Sequence, residues 1–420
     1  MKKNEIMSES FLKRLAAVYG EGAANEQRDR YLSLAETFEK EFYADADIRF
    51  FSAPGRTEVG GNHTDHNNGK VLAAAIDLDA VAAAAKRDDG VIRLNSVGHA
   101  PCEMNIEELA VRDSEAGESV ALIRGICARF KELGYKIGGF NATMTSRVLS
   151  GSGLSSSAAF EVLVSTILNY LYNDGIVNPV EVAQISQYSE NVYFKKPCGL
   201  LDQTACSVGG FVAIDFKDVS KPVINKVDFD IKSSGYDLCI IDTGGNHADL
   251  TDDYAAIRNE MNSVAAFFGK RVLREITEDE LTANLAAVRA KTGDRALERA
   301  YHFFNENKRV ERLVSALDRG DFEDFKKTII ESGKSSYMYN QNCFTLSKSF
   351  EQPVAFALCL TEQLVGDCAA YRVHGGGFAG TIQVFIPTAR TADFVAQMRK
   401  VFGEKSCYIL SVRANGGCEV

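Results

Sequence analysis

The stretch VLSGSGLSSSAAFEV, residues 148–162, decides the fold because it places a glycine- and serine-rich turn directly before a long apolar pattern. The preceding segment FNATMTSRV, residues 140–148, predicts a strand, and the apolar pattern predicts a helix. A loop between a strand and a helix presents backbone N–H groups at the positive end of a helix dipole, an arrangement that binds phosphate groups. The alternative interpretation is a serine-rich helix cap that binds no ligand.

The composition is typical of a globular protein long enough for two domains, since 45% of the 420 residues are hydrophobic and 25% are charged. The net charge of −10 disfavours a general affinity for nucleic acid. No segment reaches about 18 uninterrupted apolar residues, so a membrane span is not expected. The ten cysteines form no C-x-x-C pair, and the opening segment MKKNEIMSES lacks an apolar core. We therefore expect reduced thiols in a cytoplasmic protein.

Upstream of the loop, the patterns predict a helical region followed by strands. Helical spacing covers residues 8–42, and IRFFSAPGR, residues 48–56, predicts a strand that its Pro-Gly pair ends. The segments 80–87 and 91–97 flank the turn sequence Asp88-Asp89-Gly90 and predict a hairpin.

Downstream of the loop, Asn178 and Pro179 predict the cap and the first residue of another helix. The charged stretch RALERAYHFFNENKRVERL, residues 295–313, predicts a solvated helix face. The whole pattern predicts an α/β (α+β) fold. Further predicted elements are a helix over 119–134, buried strands over 211–216 and 236–242, a mainly helical region over 251–335, and alternating helices and strands over about the last hundred residues.

The loop itself supplies candidate ligands for a nucleotide. It is not a P-loop, because no Gly-Lys-Ser/Thr sequence ends it. Nucleotide phosphates usually arrive with magnesium, and Ser157 can offer a hydroxyl oxygen to such a cation, which also prefers a carboxylate. The candidate phosphate-binding residues are Gly151, Ser152, Gly153, Leu154, Ser155, Ser156 and Ser157.

A second motif, APGRTEVGGNHTDHNNGKV at residues 53–71, interleaves ionisable and amide side chains with glycines. Sugar hydroxyls both donate and accept hydrogen bonds, so carboxylate, imidazole and amide groups suit them. The motif is consistent with a loop around a hydroxyl-rich ligand. The alternative is an ordinary polar loop.

A third motif, ENVYFKKPCGLLDQTA at residues 190–205, carries Asp202 behind an apolar Leu-Leu pair. A carboxylate placed in a partly buried position requires a cationic partner, because an unpaired buried charge is costly. Arg56 is the candidate partner. Glu190, on the preceding helix, is the candidate second magnesium ligand.

Together these motifs resemble the GHMP small-molecule kinases, and within them the galactokinases. The first family signature is roughly G-R-x-N-x-I-G-E-H-x-D-Y, and this chain has GRTEVGGNHTDH at 55–66. The second, G-x-G-L-S-S-S-A, is present at 151–158, and the third, a G-G-G-F-G-G cluster, is present as GGGFAG at 375–380. A galactokinase stretch that joins E-N-x-F/Y to C-G-x-x-D-Q is matched over 190–203. The resemblance extends from about residue 48 to residue 420.

The resemblance implies a two-domain GHMP kinase fold with the active site in the cleft between the domains. It implies an ATP-dependent sugar 1-kinase that uses Mg²⁺ and acts on small molecules, with galactose as the expected sugar. The sequence does not report the oligomeric state, for which a monomer is favoured. The implied units are a helical region at 1–45, an N-terminal kinase domain at 46–220 and a C-terminal kinase domain at 221–420. The charge-rich stretch near 218–235 suggests their boundary.

The resemblance also implies a role for each matching residue. Arg56 and Asp202 correspond to the catalytic pair, residues 151–157 to the nucleotide-phosphate loop, and Ser157 and Glu190 to the magnesium ligands. The residues that correspond to sugar contacts are Asn62, His63, Thr64, Asp65, Gly199 and Tyr254, the last within NHADLTDDYAAIR at 246–258.

Several positions depart from the family pattern. Asn62 stands where galactokinases usually have a glutamate, Glu58 replaces an asparagine, His66 replaces a tyrosine, and His374 and Ala379 alter the third motif. A neutral amide at position 62 removes a charge that would repel an acidic sugar. The alternatives are therefore a 1-kinase for galacturonate, arabinose or an N-acetylhexosamine, and a non-catalytic sugar and ATP sensor, which the intact catalytic pair disfavours.

Overall fold

The structure is a computed structural model that describes residues 3–42, 47–98, 100–148, 153–245, 250–347, 349–378 and 380–420. Its helices are α1 (Lys3–Ile6), α2 (Glu9–Tyr19), α3 (Ala24–Phe42), α4 (Ser119–Glu132), α5 (Ser156–Tyr172), α6 (Pro179–Val192), α7 (Leu201–Val208), α8 (Thr251–Phe267), α9 (Glu278–Ala283), α10 (Leu285–Thr292), α11 (Asp294–Asp318), α12 (Phe322–Ser335), α13 (Pro353–Val365) and α14 (Thr388–Phe402). Its strands are β1 (Arg49–Gly60), β2 (Lys70–Arg87), β3 (Val91–Ser96), β4 (Cys102–Asn105), β5 (Gly139–Ser146), β6 (Phe211–Asp215), β7 (Val223–Val227), β8 (Tyr236–Asp242), β9 (Ala370–His374), β10 (Thr381–Pro387), β11 (Cys407–Leu410) and β12 (Cys418–Glu419). Single 3₁₀ turns lie at Glu21–Ala23, Asp65–Asn67, Asp113–Glu115, Ile231–Ser234 and Leu273–Glu275, and a π-helical turn lies at Ser336–Asn340.

The larger sheet has the strand order β12-β1-β2-β5-β3-β4, and β6 and β7 extend it beside the first part of β2. Helix α5 packs against β1 and β2, while α3 and α11 also contact β2. Helices on both sides explain why the sequence of β2 is almost continuously apolar rather than alternating. The second motif, which runs from β1 into the start of β2, is therefore attached to strands that helices cover.

The predicted hairpin between residues 80–87 and 91–97 is wrong. Both segments are strands, β2 and β3, but β5 lies between them, antiparallel to β2 and parallel to β3. Gly139 at the start of β5 permits this insertion, because a Cβ there would lie 2.6 Å from the carbonyl oxygen of Val91. The turn sequence correctly indicates a reversal of the chain, but it cannot indicate which strand pairs with which.

The prediction that the Pro-Gly pair ends the first strand is also wrong. Strand β1 continues to Gly60, with a register irregularity between Pro54 and Arg56 in its pairing with β2. Proline has no N–H to donate to the ladder, so the pairing with β2 is interrupted locally and then resumes at Arg56. The backbone N–H of Arg56 then donates to the carbonyl oxygen of Leu154 at 3.1 Å. This hydrogen bond joins β1 to the serine-rich loop.

The smaller sheet has the order β11-β8-β10-β9, with every pair antiparallel. Helices α13 and α14 pack against it, and α12 contacts β9. Strand β12 returns to the larger sheet and pairs with β1 at Phe51 and Ser52. The combination of sheets and many helices confirms the predicted α/β (α+β) class. The three domain bounds inferred from the sequence stay predictions.

Most other predicted elements are confirmed. Residues 8–42 are largely helical, and Asn178 caps α6 by accepting a hydrogen bond from the N–H of Glu181. The strands predicted over 211–216 and 236–242 are β6 and β8. Among the helices that the structure describes, none is long and apolar enough to cross a membrane.

Candidate active site

An ion pair between Arg56 and Asp202 joins β1 to α7. The guanidinium donates from Nε to Oδ1 and from Nη2 to Oδ2, each at 2.7 Å. Its Nη1 donates to the carbonyl oxygen of Gly153, and the hydroxyl of Ser155 donates to Oδ2 of Asp202. Burial alone would lower the pKa of Arg56, but the charge and hydrogen bonds of Asp202 outweigh it and raise the pKa. The Asp202 side chain remains 34% exposed, so a small molecule can reach the carboxylate.

The serine-rich loop lies between β5 and α5, as the sequence predicts. The structure describes Gly153, Leu154, Ser155, Ser156 and Ser157 of this loop, whereas Gly151 and Ser152 lie outside the described residues. Ser155 has a left-handed backbone with φ of 59°, and Leu154 is fully buried and anchors the loop in the core. The N-terminal turn of α5 consequently begins directly beside the Arg56–Asp202 pair.

The turn after β1 brings Asp65 against the segment that precedes α7. Its Oδ2 would lie 2.8 Å from a Cβ on Gly199, so a glycine at position 199 makes room for the carboxylate. His63, with φ of 57°, donates from Nε2 to the carbonyl oxygen of Gly376 at 2.9 Å. Predicted sugar-binding residues of two motifs, at 63–65 and 199, are therefore brought together beside the glycine cluster at 375–380.

Carboxylates dominate the electrostatics of this space. Burial raises the pKa of Asp65, the charge of His63 lowers it, and the charges of Glu58 and Asp202 raise it. Asp65 therefore lies within electrostatic reach of two further carboxylates. The guanidinium of Arg56 is already paired with Asp202.

Two of the residues predicted to bind a sugar are enclosed by the protein. Asn62 and Thr64 are both fully buried. The hydroxyl of Thr64 lies 2.9 Å from the carbonyl oxygen of Gly61 and 2.7 Å from that of Lys70, which closes the turn. The partners of the Asn62 side chain are Glu58, Gly375, Ser336 and Asn342. Their roles as sugar contacts stay predictions.

Tyr254 lies against the glycine cluster of the third motif. Its hydroxyl donates to the carbonyl oxygen of Gly377 at 2.8 Å, and its ring packs edge-on against Phe378 with 5.1 Å between the centroids. A Cβ on Gly376 would lie 2.6 Å from the Tyr254 ring. Burial and the charge of Asp253 raise the pKa of Tyr254 to about 12. The tyrosine is therefore a neutral hydrogen-bonding group beside the candidate sugar loop.

The candidate magnesium ligand Glu190 lies beside a second buried carboxylate, Glu161. Gln203 donates from Nε2 to both, at 2.8 Å to Glu190 and 3.0 Å to Glu161. Glu161 is one helical turn after Ser157 on α5, and its Oε1 has no hydrogen-bond partner among the described residues. Burial raises the pKa of Glu161 well above its usual range, and the charge of Glu190 adds to the effect.

Ser157, Glu190 and Glu161 offer a hydroxyl oxygen and carboxylate oxygens, the ligand types that a hard divalent cation prefers. Oε1 of Glu190 is paired with Nζ of Lys196 at 2.9 Å. In the part of the chain that the structure describes, no group of three or more His, Cys, Asp or Glu side chains could hold a metal ion. Magnesium bound with a nucleotide typically takes only one or two protein carboxylates and completes its coordination with phosphates and water.

The prediction that residues 295–313 form a solvated face is wrong for one side of α11. Arg299, His302 and Glu306 are almost completely buried. His302 donates from Nε2 to the carbonyl oxygen of Asn62 at 2.9 Å, and Glu306 accepts from the N–H of Gly61 at 3.2 Å. These side chains satisfy backbone groups of the buried turn, which would otherwise lack partners.

Their protonation states follow from burial and neighbouring charges. Burial lowers the pKa of His302 to about 4. For Glu306 burial would raise the pKa, but the charges of Arg309 and His302 lower it to about 2. The spacing of three and four residues between Arg299, His302 and Glu306 is the sequence signal that a polar buried face existed.

In the sequence, Glu58 and His374 are visible only as departures from the family pattern, with no role assigned. The structure places both residues at the site. His374 is buried and accepts at Nε2 from the N–H of Glu58 at 3.3 Å. Burial keeps the pKa of His374 well below its usual range, so the ring is neutral and donates from Nδ1 to Thr381. Arg372, which sequence reasoning did not select, is fully buried and donates to Oε1 of Glu58 at 2.8 Å. Ala379 lies outside the described residues.

Comparisons with known proteins agree with this arrangement. Residues 36–86 match a family model described as the galactokinase galactose-binding signature, and residues 121–210 match the GHMP kinases N terminal domain. A solved structure of Lactococcus lactis galactokinase complexed with galactose superposes with a TM-score of 0.75 at 24% identity, covering 93% of this chain and 100% of that one. Methanococcus jannaschii mevalonate kinase superposes with a TM-score of 0.62 at 14% identity, covering 88% and 99%. The fold is thus that of the GHMP kinases.

Curated relatives narrow this class. Galactokinase of Streptomyces coelicolor is 32% identical over 357 residues, which cover 83% of this chain and 87% of that protein. Galactokinase of Actinobacillus pleuropneumoniae is 28% identical over 361 residues, covering 84% and 88%. The chain therefore belongs to the galactokinase family.

Proposed function

We propose that this chain transfers the γ-phosphoryl group of ATP to the anomeric hydroxyl of galactose, giving galactose 1-phosphate and ADP. The observation that carries the proposal is the half-open Arg56–Asp202 pair, which touches the serine-rich loop and lies close to Asp65. Family membership supports the use of ATP and of galactose.

In this proposal Asp202 orients the attacking hydroxyl and accepts its proton, while Arg56 stabilises negative charge that develops on the transferred group. Phosphoryl transfer has a loose transition state, so positioning and charge stabilisation supply most of the acceleration. The two parallel hydrogen bonds fix the carboxylate plane relative to the loop. Asp65, Gly199 and Tyr254 are then the groups around the bound sugar.

The N-terminal turn of α5 and the loop before it would hold the ATP phosphates through backbone N–H groups. Ser157 and Glu190 would hold Mg²⁺, with Glu161 as a neighbouring carboxylate. When bound, the cation neutralises phosphate charge and orients the leaving group. Gln203 donates to both carboxylates and so holds Glu190 of α6 beside Glu161 of α5.

Replacing Glu190 by glutamine should increase the magnesium concentration needed for half-maximal activity at least severalfold, because it removes an anionic ligand. The KM for the sugar should change less. The measurement is a magnesium titration at saturating sugar, together with direct magnesium-dependent quenching of a fluorescent ATP analogue. Glu181→Gln, the same change in the first turn of the same helix, is the matched control. An unchanged titration in folded Glu190→Gln would remove Glu190 from the metal site.

The proposed activity is tested by ADP release from the wild-type protein with galactose, glucose, galacturonate, arabinose and N-acetylgalactosamine. Galactose should have the highest kcat/KM. Higher kcat/KM with another sugar would reassign the substrate. If the protein binds both ATP and a sugar but releases no ADP with any sugar, the alternative of a non-catalytic sugar and ATP sensor would be favoured.

A further inference from the structure

Glu58 and Asn62 form one contacting pair, and together they exchange the residue types of the family signature. Nδ2 of Asn62 lies 2.9 Å from Oε1 of Glu58. The signature has asparagine at the position of Glu58 and glutamate at the position of Asn62. Because the two side chains touch, the exchange keeps one amide and one carboxylate at this location. It changes which backbone position supplies the carboxylate.

The Asn62 side chain uses its full hydrogen-bonding capacity inside the protein. Nδ2 donates to Oε1 of Glu58 at 2.9 Å and to the carbonyl oxygen of Gly375 at 2.7 Å. Oδ1 accepts from Asn342 at 2.9 Å and from Ser336 at 3.2 Å. A primary amide has two donor hydrogens and two acceptor positions. All four are occupied, and the side chain has no exposed surface.

Glu58 is held at one oxygen and open at the other. Oε1 accepts from Asn62 and from Nη2 of the buried Arg372, whose Nη1 donates to the carbonyl oxygen of Val59 at 2.7 Å. Oε2 makes no hydrogen bond with any residue that the structure describes. The side chain is 13% exposed. The carboxylate is therefore oriented by the protein through Oε1, while the described residues leave Oε2 available as an acceptor.

The Glu58 side chain lies on the same face of β1 as Arg56 of the candidate catalytic pair, because the two residues are two positions apart in regular register with β2. The charge of Glu58 also acts on Arg56 and Asp65. We propose that Oε2 of Glu58 accepts a hydrogen bond from a sugar hydroxyl, that Asn62 and Arg372 position it, and that the site thereby selects a neutral sugar over a sugar acid. This inference rests on the proposed function and specifies the substrate class of that site.

The selectivity follows from the charges around the sugar. An ionised carboxylate only accepts hydrogen bonds, so Glu58 suits a hydroxyl donor and repels a second carboxylate. Asp65 and Asp202 add two more negative groups, and Arg56 is already paired. From the sequence alone, a neutral residue at position 62 is compatible with an acidic sugar. In the structure, the adjacent Glu58 supplies the negative charge that position 62 lacks, so galacturonate should be disfavoured.

The test compares wild type, Glu58→Gln and Glu58→Asp by galactose KM and kcat, and by the inhibition constant of galacturonate against galactose. Glutamine keeps the shape but loses the charge, so the galactose KM should rise roughly ten- to a hundredfold while kcat changes less than about threefold. Galacturonate should inhibit Glu58→Gln more strongly than wild type. Aspartate keeps the charge but withdraws the oxygen, so it should raise KM and leave galacturonate excluded.

Two further variants separate a substrate contact from a structural role. Glu103→Gln makes the same change at an exposed carboxylate of β4 and should leave every constant unchanged. Arg372→Lys keeps the buried charge but loses the paired guanidinium contacts, so it should raise KM by a smaller factor and preserve kcat. If Glu58→Gln does not fold, the galactose KM of Glu58→Asp still tests whether Glu58 contacts the sugar.

The outcomes distinguish the role of Glu58 from the proposed kinase function on which it rests. Wild-type turnover of galactose with unchanged galactose KM in the folded Glu58 variants would overturn the role of Glu58 and leave the proposed function standing. An unchanged galacturonate constant in folded Glu58→Gln would overturn the charge selectivity. No ADP release from wild type with galactose would contradict the proposed function itself.

Discussion

Two arginine–aspartate clusters each take one member from the strand pair β1–β2 and differ in exposure. In the first, Arg56 of β1 pairs with Asp202 of α7, whose side chain is 34% exposed. In the second, Asp79 of β2, which lies opposite Pro54 in the sheet, is fully buried and is contacted by Arg30 of α3 and by Arg413 near the C-terminus, at 2.9 Å for the latter. The first pair joins the second and third sequence motifs and is partly accessible to solvent. The second cluster joins α3, β2 and the segment near the C-terminus.

The comparison shows what exposure does to a similar charge pair. Burial would raise the pKa of Asp79, but the charges of Arg30 and Arg413 and hydrogen bonds from Ser52 and Tyr19 lower it. Every oxygen of Asp79 is used inside the fold, which holds the N-terminal helices on the sheet. Asp202 also accepts several hydrogen bonds but keeps surface for a ligand. The buried cluster should therefore control stability, and the half-open pair should control turnover.

The largest expected effect is on stability at the buried cluster. Asp79→Asn leaves Arg30 and Arg413 without a counter-charge, and breaking a buried pair in this way costs about 3–5 kcal/mol in the free energy of unfolding. Urea denaturation measures this change. Asp89→Asn, the same substitution in an exposed pair with Arg87, should leave the free energy of unfolding nearly unchanged, because solvent screens an exposed pair.

The kcat of Asp79→Asn, per folded molecule at low temperature, should stay within about threefold of wild type. A kcat loss as large as that of an Asp202 variant, in protein shown to be folded, would contradict the separation between the two clusters.

The next effect is on turnover at the half-open pair. Asp202→Asn should reduce kcat at least about a hundredfold, the scale for losing a positioned proton acceptor. The free energy of unfolding should fall by less than about 2 kcal/mol, because the site is partly solvated and asparagine still accepts a hydrogen bond from Arg56. Steady-state kinetics and urea denaturation are measured on the same preparation. Near-normal turnover in a folded variant would exclude Asp202 from catalysis.

The smallest expected effect is a pH dependence of stability from His302, which supports the turn at Asn62. Its pKa is about 4 in the folded protein and about 6.5 in the unfolded chain, so the unfolded chain binds the proton first as pH falls. Stability is therefore lost from about pH 6.5 down to about pH 4, by about 1 kcal/mol at pH 5.5. His302→Gln should remove this part of the slope. Equal slopes for wild type and variant between pH 7 and pH 5 would contradict the assignment.

The sequence predicts the parts of the site that depend on local order. The loop between β5 and α5 follows from glycine and serine types next to apolar periodicity, and the contact of Arg56 with Asp202 follows from the need to pair a partly buried carboxylate. The cap at Asn178 likewise needs only neighbouring residues.

The parts that the sequence misses depend on contacts between distant residues. The turn at Asp88–Gly90 is compatible with a hairpin, and only the arrival of β5 separates the two strands. His302 and Glu306 are typical of a solvated helix until the turn at Gly61 and Asn62 supplies backbone groups that need partners. The exchange of amide and carboxylate between positions 58 and 62 is visible in the sequence, but only the contact between the side chains gives it meaning.

The central claim is that the Arg56–Asp202 site transfers phosphate from ATP to the anomeric hydroxyl of galactose. The most direct measurement is ³¹P and ¹³C NMR of the product formed from ATP and ¹³C-labelled galactose, by wild type and by Asp202→Asn. We predict phosphate on the oxygen at C1, one ADP for each sugar phosphate, and almost no product from the variant. Phosphate on another hydroxyl, or equal product from both proteins, would contradict the account.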